Sequence, residues 1–140
     1  MTQSAVAAES SSNKSSSKMM WIGRSLSGLA VLVFVFTLAF GLLKPDVAAQ
    51  GFVHYNFPPG AGTRILIVEI VCVVLYVIPA TSVFGAILLT GYLGGATVTH
   101  FRVGEPFYLP VGVGILLWAG LYLRDPRLRA LVPLRRRVPE

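Results

Sequence analysis

The chain is 140 residues long, 54% hydrophobic and only 13% charged, about half the charge density of a soluble domain. Ser25–Leu43, Ile70–Phe101 and Pro106–Leu123 carry no charge at all and show no recurring polar face, which excludes a soluble helical bundle. The net charge of +6 comes from residues that bracket the apolar runs, with no basic-aromatic module, so it marks membrane topology and excludes nucleic acid as a partner.

Residues 1–19 are dominated by serine and have no apolar period; such a segment buries too little surface to offset its ordering entropy, and we expect a disordered tail. A first membrane span is predicted over 22–43. A late signal sequence cleaved near Val47-Ala48-Ala49 is the competing reading, but its apolar run exceeds the usual length and Pro45 precedes the site. Lys44-Pro45 ends this span. The stretch 46–62, with His54, Tyr55 and Pro58-Pro59-Gly60, is too polar and broken to cross, and fits the headgroup layer.

A second span is predicted over 63–78 and a third over 82–99. Pro79-Ala80-Thr81-Ser82 between them has the length of a tight helical hairpin, with Thr81 or Ser82 as N-cap, so the two are antiparallel neighbours. A fourth span covers 107–123. The remainder, 125–140, alternates arginines with Leu128, Leu131, Val132 and Leu134 and reads as a basic segment lying on an anionic leaflet. The predicted body is therefore 20–124, an all-α transmembrane antiparallel four-helix bundle.

Sidedness follows from the basic residues. Lys14, Lys18, Arg24, Arg124, Arg127, Arg129, Arg135, Arg136 and Arg137 flank one face, against Lys44, Arg64 and Arg102 on the other. That imbalance places both the N and C termini on the cytoplasmic side. Trp21, Tyr76 and Tyr122 fall near the inner boundary and Tyr55 and Tyr108 near the outer one, levels that suit an apolar ring with a polar handle.

Glu69 is the most informative residue. It lies about 7–9 Å inside the outer end of the second span at 1.5 Å per residue, where an ionisable group costs about 2–4 kcal/mol and normally has an interior partner. It is either a proton-handling or ligand-anchoring carboxyl, or a structural hydrogen bond that fixes helix register or a side chain reaching the outer interface; the sequence leaves these open. By depth alone, Thr37 on the first span, Tyr92 on the third, and Gly112 and Gly114 on the fourth share its level. Gly91, Gly94 and Gly95 have the small-residue spacing of close helix packing. His54 and His100 lie at or beyond the outer boundary, and no cysteine or second carboxylate is spaced to complete a metal or haem site. Cys72 stands alone, which excludes an intrachain disulfide and a paired-thiol motif. With no catalytic triad, dinucleotide or phosphate-loop fingerprint, neither an autonomous enzyme nor a bound cofactor or metal is expected.

The segments GRSLSGLAVLVFVF at 23–36, LLKP at 42–45, EIVCVVLYVIPATSVFGAILLTGYLGGATVTHFRVGEP at 69–106 and LLWAGLYLRDPRLRALVPLRR at 116–136 resemble the DoxX-like family of small bacterial membrane proteins. The resemblance covers nearly everything after the serine-rich tail. The block holding Glu69, Pro79, the Gly91–Gly95 run and Thr99-His100 is its most specific part. It implies a multi-pass four-helix protein of the bacterial inner membrane, in a family whose name derives from a subunit of quinone-linked oxidoreductases. Relatives commonly have Asp where this chain has Thr37 and Lys where it has Gly41, so a carboxyl pair across the first two spans is absent.

Three functions follow as expectations. The first is a non-catalytic accessory subunit of a membrane redox or respiratory-type assembly, partnered by oxidoreductase subunits and touching quinone near Glu69 and Tyr92, with His100 at the outer edge of the same region. The second is a small-solute transporter or permeability factor. The third is an assembly or scaffold protein whose tail binds lipid and whose glycine face takes another span or a second copy, as a homo-oligomer.

Overall fold

A computed structural model describes the backbone of residues 2–131 and the side chains of residues 16–131. The described chain is all helical. In order, α1 spans Thr2–Leu43, α2 Pro45–His54, α3 Ala61–Val77, α4 Ser82–Arg102, α5 Tyr108–Arg124 and α6 Pro126–Leu131. Helix α1 continues N-terminally through the serine-rich stretch, where composition led us to expect no order. Extending a formed helix avoids the cost of a new nucleus, so a poorly patterned flank can follow a strong one.

Helix α1 packs on α5 and α3, and α4 packs on α3 and α5. The core is a thin column: Ala30 and Phe34 from α1, Cys72 and Tyr76 from α3, Ala86, Leu89 and Leu93 from α4, Val113, Leu117 and Leu121 from α5, and Leu128 from α6. Around it, large apolar side chains face outward, among them Leu32, Phe36, Phe101, Leu109 and Ile115, each about two-thirds exposed. An apolar surface this extensive requires a nonaqueous surround. Two helical stretches, Ser16–Leu43 and Ser82–Arg102, are long and apolar enough to cross a bilayer. Helices α3 and α5 have 17 residues each and reach about 25 Å at 1.5 Å per residue.

The close crossings fall elsewhere than the sequence spacing suggested. A Cβ on Gly91, Gly94 or Gly95 would meet nothing within 4 Å, whereas one on Gly23 would lie 2.9 Å from the Gly120 carbonyl. One on Gly120 would lie 2.6 Å from the Ser27 amide, and one on Gly85 would collide with the Leu75–Tyr76 backbone. Gly23 and Ser27, four apart, therefore form the small-residue seam against α5, and Gly85 lets α4 fold tightly back on α3. Spacing reveals that small residues share a helix face, but not whether that face meets a neighbour.

Tyr76 locks this end. Its hydroxyl lies 2.9 Å from Ser27 Oγ and donates to the Leu117 carbonyl at 3.0 Å, joining α1, α3 and α5. The Arg124 guanidinium sits 4.8 Å from its ring centroid and donates to its carbonyl at 3.2 Å, a cation–π contact. In the α3–α4 turn, Thr81 holds the N-cap position without a side-chain capping bond. Its hydroxyl donates back to the Leu75 carbonyl at 2.8 Å instead, and Ser82 donates to Pro79 at 3.2 Å.

The segment expected to be irregular contains α2. Pro45 occupies its first turn beside Asp46; proline is pre-set for that position and a carboxylate complements the helix N-terminus. Lys44-Pro45 thus ends one helix and starts the next. Of the basic C-terminal segment, only α6 lies within the described residues.

Candidate functional site

Glu69 sits on α3 with a relative exposure of 4%. Its Oε1 accepts from Thr37 Oγ1 of α1 at 2.7 Å, and its Oε2 accepts from the Tyr92 hydroxyl of α4 at 2.8 Å. Phe34, one turn before Thr37, holds the Tyr92 ring edge-on at 6.1 Å between centroids. The hydroxyl hydrogen of Thr37 has a second acceptor, the Phe34 carbonyl at 2.8 Å. Depth alone placed Thr37, Glu69 and Tyr92 at one level; helix rotation turns all three inward to meet. Gly112 and Gly114 of the same level supply no polar atom to the carboxyl.

This trio forms the polar wall of a cavity of about 700 Å³. Gly41, Ile65 and Leu66 line its sides, and α2 with the following turn covers it through Phe52, Val53, Phe57 and Pro58. The cover is set by helix-end chemistry. Asn56 adopts φ 57° just beyond α2; the Asn56 amide donates to Val53 O and the Phe57 amide to Phe52 O, both at 2.9 Å. That pair of bonds is a Schellman motif, and its usual apolar contact is present as the Phe52–Phe57 ring pair, 5.7 Å apart. Gly62 leaves room for the Phe52 ring, which a Cβ there would overlap at 2.7 Å.

His100 is not part of this trio. It belongs to a second cluster, at the outer edge, around Glu105. Glu105 Oε1 lies 3.0 Å from His54 Nε2; its Oε2 accepts from the Tyr55 hydroxyl at 2.8 Å and lies 3.0 Å from His100 Nδ1. A second Schellman motif builds it. Gly104 takes φ 74°, the Gly104 amide donates to Phe101 O and the Glu105 amide to His100 O. The side chains of His100 and Glu105 are thereby brought to the positions that usually make an apolar contact. The bond from Tyr55, then those from the histidines, hold the Glu105 carboxyl below the usual carboxylate range. Desolvation and the adjacent carboxylate push the Tyr55 phenol up to about 12. The sequence places His54 and His100 together at the outer boundary and groups His100 with Glu69, but it gives Glu105 no role; the Val103-Gly104 helix stop is the signal that the chain doubles back there. Among the described residues no group of three or more His, Cys, Asp and Glu is arranged to hold a metal ion.

An all-helical body sheathed in apolar side chains, with one carboxyl sealed against two hydroxyls on a cavity wall, defines a membrane protein with a buried polar site. Residues 25–121 match the model of the DoxX-like family, and the chain belongs to that family. No curated protein and no solved structure matches the chain.

Proposed function

We propose that this DoxX-like protein crosses the inner membrane of a bacterial cell four times, through α1, α3, α4 and α5, with both termini inside. We further propose that it serves as a non-catalytic accessory subunit of a membrane redox assembly and holds a quinone-class molecule beside Glu69. The observation that carries this reading is the cavity itself: an apolar, aromatic-walled space ending on one buried carboxyl matches a lipophilic ring with a polar head. Its volume of about 700 Å³ is in the range of small-molecule sites. A single buried acid favours a ligand-holding role over coupled transport, for which several intramembrane ionisable groups are usual.

An accessory role also needs a face for its partner. Gly94, Thr97, Gly114 and Trp118 line an apolar groove between α4 and α5, and a Cβ on Gly94 would meet nothing within 4 Å. That is the surface on which an oxidoreductase span, or a second copy of this chain, would seat.

A photoreactive quinone analogue is expected to label peptides from α2, α3 and α4 in native membranes. Glu69→Gln is expected to reduce that labelling while leaving helical content intact, and gentle affinity purification should recover oxidoreductase subunits. Purified protein that takes up no quinone analogue and brings down no oxidoreductase would refute the reading.

A further inference from the structure

The buried end of the cavity presents hydrogen-bond acceptors and keeps its donors to itself. Tyr92 and Thr37 have one hydroxyl hydrogen each. Tyr92 spends its hydrogen on Glu69 Oε2 at 2.8 Å; that of Thr37 lies between Glu69 Oε1 at 2.7 Å and the Phe34 carbonyl at 2.8 Å. Each carboxyl oxygen has two acceptor sites, so one on each is left for a visitor. None of the residues lining the cavity is Lys, Arg or His, and Glu69 has no cationic partner among the described residues. Thr63, the other hydroxyl on the lining, stands at the exposed rim.

We propose that this cavity selects lipophiles that bring their own hydrogen-bond donor, a phenol-type hydroxyl, over isosteric molecules presenting only carbonyl or ether oxygens. The inference rests on the quinone-class reading above and deepens it: within that class the site holds the hydroquinone in preference to the quinone. A hydroquinone hydroxyl completes the shell of an under-compensated buried carboxyl. A quinone carbonyl in the same place sets acceptor against acceptor where little water screens them. The rings of Phe52 and Phe57 and the side chain of Leu66 hold both ligand types alike and supply no discrimination.

The test is calorimetric binding to the purified full chain in lipid nanodiscs, under argon, with two matched pairs of probes: decylhydroquinone against decylquinone, and 4-decylphenol against its methyl ether. The donor-bearing member of each pair is expected to bind about tenfold or more tightly, the discrimination that one buried hydrogen bond made rather than left unmade supplies. Glu69→Gln, which places an amide donor on the wall, should bring both ratios close to one, and Tyr92→Phe, which removes one of the carboxyl's donors and frees a further lone pair on the wall, should raise them. If Glu69→Gln does not fold, the ratios in the unaltered protein and in Tyr92→Phe decide. Equal binding of quinone and hydroquinone would overturn the donor preference and leave the quinone reading standing. Phenol bound over its ether, with neither quinone form bound, would do the reverse. No binding by any of the four probes would reject both.

Discussion

Thr37 shows how much a single hydroxyl contributes in a span that is otherwise apolar. It gives Glu69 one of its two donors, and a carboxyl stripped of a donor in a dry interior is costly. Thr37→Val, nearly the same shape, is therefore expected to lower stability by about 1–2 kcal/mol, measured as a shift in the denaturation midpoint in mixed micelles; an unchanged midpoint would show that the bond contributes nothing net. The glycines give a sharper contrast. Gly120→Leu must push side-chain atoms into Ser27, whose amide already lies 2.6 Å from where a Cβ would stand, and should cost about 2 kcal/mol or more. Gly94→Leu meets open space within the chain and should leave monomer stability unchanged while weakening association with a partner span, read by crosslinking. Sequence could flag Glu69, because an acid in a charge-free run is conspicuous, and could place Thr37 and Tyr92 at its depth. It could not assign the glycines, since being small says nothing of which face is covered.

Helix ends decide where the polar chemistry gathers. Two Schellman turns, at Asn56 and at Gly104, bring the end of α2 toward the end of α4 and leave Glu105 as the hub of two carboxyl–imidazole contacts, to His54 and His100. Because the carboxyl is held below its ordinary value, its contribution is present above the unfolded carboxylate pKa and is lost as pH falls through the lowered folded value. Protection of the α2 amides, taken relative to the intrinsic exchange rate at each pH, is thus expected to hold at neutral pH and to fall only in acid, and Glu105→Gln should lower it already at neutral pH. The Tyr55 shift has the opposite sign. Its phenol, raised from 10.0 to about 12, contributes below the unfolded value and loses that contribution as pH climbs through the folded one. Ultraviolet titration should show the Tyr55 phenol ionising late, identified as the signal that Tyr55→Phe removes, and Glu105→Gln should return it toward the ordinary value. α2 itself was illegible because a proline that ends one helix gives no sign that it also starts the next, and only the packing of the following residues against α3 reveals the second role.

The molecule as a whole is arranged inside out by aqueous standards. Its core is a narrow column joined by Tyr76 at one end and the Glu69 trio nearer the other, while the bulky aliphatic and aromatic side chains point away from it. Alkaline carbonate should therefore leave the protein in the membrane pellet; recovery in the supernatant would remove the basis for every statement about its polar interior. Reporters fused after residue 19, near residue 56 and after residue 131 should read inside, outside and inside, as the arginine and lysine imbalance directs.

Composition and the charge-free runs were enough to establish a helical membrane protein and the presence of one anomalous acid, because hydrophobicity and helix propensity are local properties. Which way each helix is rotated is not local. It depends on where backbones approach closely enough to interlock, at Gly23–Gly120 and at Gly85, and that choice turned Thr37 and Tyr92 onto Glu69, while the turns at Asn56 and Gly104 roofed the cavity with α2 and brought His100 to Glu105.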